Sequence, residues 1–245
     1  MHLELAGIWK PAFSFWYSCE PSAVNSLLPS GFKLYCRKSR AFCNIFLSHM
    51  QFMRPAGLPI WCGIHGWQIN YCLYVTSTAE ASGEVKGLYV VRSFIDEKHF
   101  LRLANLMPYF HFQPASIQMT ENQLGLNFEL RSENYESSFV ADTTTAPNSF
   151  RSQALGGINE AMNFLQHRNT FVLTSGDFLE FGDLHFSQNG KRIIGPIGSL
   201  EFHKDVNQNQ LQLEFAARIE SADFHLILGR RERPALLPEY AEIER

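Results

Sequence analysis

Little in this chain marks a metal centre, a nucleotide loop or a membrane span. Its five cysteines, Cys19, Cys36, Cys43, Cys62 and Cys72, are odd in number, crowd into the first third and never fall as C-x-x-C. Neither a zinc site nor a disulfide framework is therefore expected. The nine histidines never stand in H-x-H or H-E-x-x-H spacing, so no metal site is expected and no cofactor is implied. Gly156-Gly157 is not a dinucleotide-binding loop, and there is neither a phosphate-cradling G-x-x-x-x-G-K-[ST] run nor a G-x-S-x-G elbow. No apolar stretch approaches the roughly 18 residues of a spanning helix. The opening MHLELAGIWKPAFSFWY is broken by Glu4, Lys10 and Pro11 and has no basic leader before a small-residue cleavage site. With 21 basic against 24 acidic residues and a formal charge of −3, the charge reads as spread without blocks. That speaks against nucleic acid or membrane as partners, because both need clustered Lys and Arg. A cytoplasmic protein with reduced thiols is the expectation.

What the chain does have is length, apolar content and rings. Its 245 residues, 45% of them apolar, suffice for one complete core. The aromatics comprise 21 Phe, 8 Tyr and 4 Trp, side chains that suit the faces of sheets or the walls of an apolar pocket. Local patterns predict a short helix over 21–28, opened by Pro21 and stopped by Pro29 and Gly31. Strands follow over 32–37 and 41–53 around Lys38-Ser39-Arg40, then over 67–77 and 85–94. A helix over 96–107 carries Phe100, Leu103, Leu106 and Met107 at helical spacing and ends at Pro108. Further strands are expected over 109–119, 124–131 and 138–142, and a second helix over 152–167 buries Leu155, Ile158, Met162 and Leu165. The end of the chain reads as strands over 170–174, 178–186, 199–206, 210–219 and 224–228, with a turn at Gln188-Asn189-Gly190-Lys191 where Asn-Gly favours positive φ. Three helices against about ten strands make a mainly β, α+β chain forming a single domain over 1–245, with a peripheral tail from Arg230.

The run Val24-Asn25-Ser26-Leu27-Leu28-Pro29-Ser30-Gly31-Phe32, Met50 and the loop Arg54-Pro55-Ala56-Gly57-Leu58-Pro59 resemble the opening of the YqjF-like family of uncharacterised bacterial proteins. That family lies in the acetoacetate decarboxylase-like superfamily. Gln68 to Val75, Gly87 to Val91, Leu106 to His111 and Phe164 to Thr170 resemble its later pieces in order, so the likeness covers roughly the first 190 residues. The resemblance implies a partly open, cone-shaped β-barrel with flanking helices and an interior cavity. In the true decarboxylases a Lys after a helix and a Pro forms a Schiff base with a β-keto acid, beside a second Lys that depresses its pKa. Here Tyr109 and Phe110 follow Pro108, and Asn70 stands on the strand expected to carry an acidic residue. The resemblance thus implies the cavity without the decarboxylase's lysine chemistry.

Candidate site residues are the polar ones set among apolar strands. Asn70 can donate to and accept from a carbonyl. Tyr109 and His111 share a strand face at period two and suit proton transfer, while a one-residue change of register would turn Phe110 inward instead. Arg92 offers a bidentate fork to a carboxylate, or pairs with Asp96 or Glu97. Arg54 and Arg168 are similar candidates, although Arg54 could equally hold a loop carbonyl. Lys191-Arg192 places two cations together, but the Asn-Gly turn reads as a solvated hairpin tip. Two functions are weighed. The first is a protein whose cavity binds a small apolar or aromatic organic acid, its polar end fixed by Arg92, Asn70 and Tyr109. The alternative is a lysine-independent lyase, hydratase or isomerase working on a small keto or enol compound through Tyr109 and His111. A third possibility is an interior filled by its own aromatics, with function in association as a homodimer through exposed strands.

Overall fold

The computed structural model describes residues 3–29, 31–79, 83–98, 101, 112–122, 125–141, 152, 154–157, 159–160, 164, 170–175, 178–194 and 210–232. Strand β1 (Leu3–Cys19) shows why the chain forms sheets. Phe13, Phe15 and Tyr17 alternate with Ser14, Trp16 and Ser18, so one strand supplies two different faces. Two 3-10 turns, Pro21–Ala23 and Asn25–Leu27, replace the expected single helix over 21–28. Next come β2 (Phe32–Leu34), β3 (Cys36–Arg37) and β4 (Arg40–Pro55). The β3–β4 connection is a tight turn with positive φ at both Lys38 and Ser39, the geometry that lets strand twist continue through a two-residue loop. Then follow β5 (Ile64–Ala79), β6 (Gly83–Ile95) and β7 (Phe112–Pro114). A small sheet is made of β8 (Ser116–Asn122), β9 (Gly125–Ser132) and β10 (Tyr135–Ala141). The chain returns to the main sheet as β11 (Thr170–Ser175), β12 (Phe178–Ile194) and β13 (Gln212–Glu232).

The main sheet runs β5-β4-β1-β13-β12-β11-β6 and closes on itself because β5 also pairs with β6, which makes a seven-stranded barrel. Closure gives each of these seven strands a partner on both sides and leaves the short β2, β3 and β7 at the margins of the sheet. The buried clusters identify the inside. Trp16, Phe42, Tyr74, Leu88 and Phe215 meet one another, and Phe171 packs on them, although they come from β1, β4, β5, β6, β13 and β11 around the ring. Trp9, Met50, Ile95, Leu184 and Phe224 form a second such cluster. Only the interior can collect side chains from every side of a closed barrel. The opposite face of β1, β4 and β5, with Phe13, Ile45, Tyr71 and Leu73, packs on Ile117, Leu126, Phe128 and Leu130 of the small sheet. Arg218 fastens that sheet: it lies 5.5 Å from the Phe13 ring centroid and pairs with Glu121 of β8.

Three further sequence expectations need correction. The helix expected over 152–167 does not begin at Ser152, because Ser152 and Gly156 exchange backbone hydrogen bonds as an isolated bridge. The Asn-Gly turn at 188–191 does not form: β12 runs straight through it, with Gln188 opposite Ala222, Asn189 opposite Ser221 and Lys191 opposite Ile219. A ladder extending from Leu179–Glu232 to Ile194–Ala216 outweighs the weak local preference of one dipeptide. Similarly, 212–232 is one unbroken strand rather than two, and Arg230 and Arg231 pair with Phe181 and Glu180. Most of the expected helix over 96–107, and the strand over 199–206, lie outside the described residues.

Candidate functional site

Even-numbered positions of β4 and β5 face the barrel interior and bring a layer of small polar groups between the two aromatic clusters. The Asn44 amide donates to Ser14 Oγ at 2.9 Å and to the Phe15 carbonyl at 3.2 Å. Asn70 sits beside Ser93 of β6 in register. Its Oδ1 accepts from Ser93 Oγ at 2.5 Å and from Gln68 Nε2 at 2.9 Å. With its oxygen occupied twice, Asn70 turns its NH2 into a donor available to something else. Ser48, completely buried on the same face of β4, has an Oγ without a partner among the described residues. So has the indole Nε1 of Trp16, buried in the aromatic cluster. Buried polar atoms nearly always find partners, so orphaned ones lining a single interior are informative.

A second polar group lies at the Trp16 end. Opposite the Trp16/Tyr17 step the β1–β13 register shifts, and Glu214 is the extra residue on β13. The bulge re-aims its side chain, and the buried carboxylate accepts from Ser18 Oγ, Ser152 Oγ and the Ala154 amide. Ser18 Oγ in turn accepts from Arg40 Nε at 2.7 Å, and Ser152 Oγ from the Leu155 amide at 2.8 Å. Glu214 therefore ties Ser152 and Ala154 across one end of the barrel, where Ala154, Leu155 and Phe164 pack on Trp16, Phe42 and Phe215. Sequence reasoning missed Glu214. Its signal was a lone acid inside the apolar run Leu211 to Ile219, which simple alternation does not place on either face.

The residues singled out from sequence do not all meet. A register shift between Tyr71 and Cys72 puts Arg92 opposite Tyr71, hence on the outer face of the barrel, whereas Asn70 faces inward. The Arg92 guanidinium lies 5.3 Å from the Tyr135 ring centroid and 5.7 Å from that of Phe94, between barrel and small sheet. Burial pushes the neighbouring Tyr71 phenol well above its ordinary pKa. Arg54 donates to the Leu58 and Phe52 carbonyls, both at 2.9 Å, and so holds its loop. Tyr109, Phe110, His111 and Arg168 lie outside the described residues. The lysines whose side chains are described, Lys10, Lys33, Lys38, Lys86 and Lys98, are all exposed.

A separate open cleft of about 440 Å³ is lined by His49, His65, Trp67, Asp96, Glu97 and Lys98. The His49 and Trp67 rings are 4.8 Å apart, and Asp96 accepts from the Trp67 amide at 2.7 Å. Burial raises the Asp96 carboxyl pKa despite that bond. Among the described residues no set of three His, Cys, Asp or Glu side chains is placed to hold a metal ion, and no helix is long and apolar enough to cross a membrane.

The fold has solved counterparts. Acetoacetate decarboxylase from Legionella pneumophila is 14% identical with a TM-score of 0.64, the match covering 94% of this chain and 87% of that one. An acetoacetate decarboxylase-like enzyme from Sphingomonas wittichii RW1 is 10% identical with a TM-score of 0.60, covering 95% and 92%. The enduracididine biosynthesis enzyme MppR, complexed with pyruvate, is 9% identical with a TM-score of 0.57, covering 94% and 89%. At such identities the likeness establishes the acetoacetate decarboxylase-like fold and leaves function to the site. No curated protein sequence matches the chain. Residues 8–180 match the family model DUF2071, described as an uncharacterized conserved protein (COG2071), and over most of its length, in order and within the fold just described, the chain belongs to that family.

Proposed function

We propose that the barrel interior binds a small apolar or aromatic organic acid without forming an imine on a lysine. The observation that carries this reading is the pair of orphaned buried donors, Trp16 Nε1 and Ser48 Oγ, on the same interior face as Asn70, whose Oδ1 already accepts twice. Neutral donors of this kind suit the oxygens of a carboxylate or carbonyl, and the surrounding rings suit an apolar body. Arg92 has no part in this version of the site, since it belongs to the outer face. The exposure of Lys10, Lys33, Lys38, Lys86 and Lys98 supports a reaction that avoids an imine.

The second reading is a lysine-independent lyase, hydratase or isomerase acting on a keto or enol compound. It is favoured by Glu214, a buried carboxylate beside the aromatic cluster and a suitable acceptor for a proton taken from carbon. Tyr109 and His111 remain candidates for the same chemistry. The binding reading is tested with phenylpyruvate, benzoate and acetoacetate as probes, by titration calorimetry on the full chain, with borohydride added in parallel. Saturable binding that Asn70→Leu weakens at least tenfold, with no reduced lysine adduct by mass spectrometry, is expected. Binding that ignores Asn70→Leu would remove the interior layer from the site, and a trapped adduct would refute the imine-free part.

A further inference from the structure

One end of the barrel carries an aromatic cage with a phenyl ring already inside it. Phe164, buried, stands 5.0 Å from Trp16 and 5.0 Å from Phe42, centroid to centroid, and 5.7 Å from Tyr74. Tyr35, just after β2, closes the ring at 6.4 Å from Phe164 and 4.6 Å from Tyr74. Trp16 and Tyr74 meet Phe164 edge to face, at interplanar angles of 85° and 72°, the favourable arrangement for a ring within rings. Phe164 follows in sequence the residues that Glu214 holds, Ser152 and Ala154, and lies in none of the barrel strands.

The rim of this cage is cationic. Lys86 places its ammonium 5.5 Å from the Tyr35 ring centroid. Lys33 of β2 and Lys86 of β6 both stand in register with Thr76 of β5, so they share the face that Tyr74 presents two residues earlier. The charge of the chain is not spread evenly, as its near-neutral total suggests. Between Glu20 and Glu80 there is no acidic residue, while Lys33, Arg37, Lys38 and Arg40 fall in that span toward this end of β4, and Arg54 falls at its other end. Of these, Arg37 reaches Glu160 at 3.8 Å and Arg40 reaches Glu20 at 3.5 Å.

We infer that this mouth is a recognition site for an arylalkanoate: its ring takes the place of Phe164 among Trp16, Phe42, Tyr74 and Tyr35, and its carboxylate meets Lys86 and Lys33 at the rim. The assignment rests on the reading of the barrel as an organic-acid site and adds the substrate class and the entry end. Phe164 acts in it as an internal stand-in that an incoming ring displaces. An exposed lysine–carboxylate pair is weak and screened by salt, so the rim selects the anion while the cage supplies most of the affinity.

The test uses the full chain with 3-phenylpropionate and its neutral counterpart 3-phenylpropanol, titrated calorimetrically at low salt and in 0.5 M NaCl. Phe164→Ala is expected to tighten 3-phenylpropionate at least tenfold, because no internal ring has to leave. Lys86→Gln, an exposed change that spares the core, is expected to weaken the acid two- to fivefold in either background, to leave the alcohol unchanged, and to lose its effect in high salt. Phe164→Leu serves in place of the alanine variant if that one does not fold. Equal binding of acid and alcohol, or an acid affinity indifferent to Lys86→Gln, overturns the assignment. If Asn70→Leu weakens the acid and Lys86→Gln does not, the interior site stands and the mouth falls; the reverse pattern removes the interior layer and leaves the mouth.

Discussion

Replacing Glu214 with alanine isolates the tie across the barrel end. The substitution strands three buried donors at once, the Ser18 and Ser152 hydroxyls and the Ala154 amide. A buried donor left without its acceptor costs about 1–3 kcal/mol. The two hydroxyls can rotate toward other acceptors and fall at the low end, while the amide cannot, so the total comes to about 3–5 kcal/mol. For a chain of this size about 2–4 °C of Tm is lost per kcal/mol, which predicts a drop on the order of 10 °C. Glu214→Gln keeps an acceptor of the same shape and offers its NH2 to a serine oxygen, so its expected cost is about 1 kcal/mol. Urea melts followed by far-ultraviolet circular dichroism give the free energies. A double-mutant cycle with Ser152→Ala gives the coupling, expected at about 1–2 kcal/mol because the two groups share one hydrogen bond. Because Phe164 packs on Trp16 within the tied end, the alanine variant is also expected to shift tryptophan emission to the red. An alanine variant within about 1 kcal/mol of the parent, additive with Ser152→Ala, would refute the reasoning.

The remaining predictions concern titration and thiols. Burial raises the Asp96 pKa above its ordinary 3.8, so between that value and the raised one the folded state holds more protons than the unfolded state, and stability falls as pH rises through the window. Asp96→Asn keeps an acceptor for the Trp67 amide and removes the titration. Its stability relative to the parent is expected to improve from pH 3.5 upward and level off above the raised pKa, and a pH-independent difference in urea midpoints would contradict this. Cys36 and Cys62 are exposed while Cys19, Cys43 and Cys72 are buried. Ellman's reagent is therefore expected to find two fast thiols in the native protein and five after denaturation. Burial also raises the Cys36 pKa, so its reaction is expected to quicken steeply with pH.

The strands of the N-terminal half were legible in the sequence because alternation is a local property. Phe13-Ser14-Phe15-Trp16-Tyr17-Ser18 specifies a strand with one aromatic and one mixed face whatever its partners are. The polar break at Lys38-Ser39 specifies a tight reversal for the same reason, and the quoted runs carried the family. Asn70 stands out in the sequence as a lone amide between Ile69 and Tyr71, and the fold places it on the interior face beside Ser93. Which face became the inside could not be read that way. It depends on β11 returning to β6 and β13 to β1 to close the ring, pairings between segments far apart in the chain.

Two single-residue bulges decide which polar side chains face the interior. The shift at Tyr71/Cys72 reverses the phase of β6, sending Arg92 outward while its strand neighbour Ser93 joins Asn70. The extra residue at 214 places a carboxylate where alternation would put a ladder position. A bulge is fixed by how two strands twist against each other, and no signal for it resides in either strand alone. The Asn-Gly pair within β12 is the converse case, a local turn preference overridden by a long ladder with β13. The sequence by itself determined that this chain forms aromatic-rich strands of a known family. Only the closed tertiary structure decided which of its polar side chains share one interior, because ring closure and bulges sum over pairings between residues far apart in the chain.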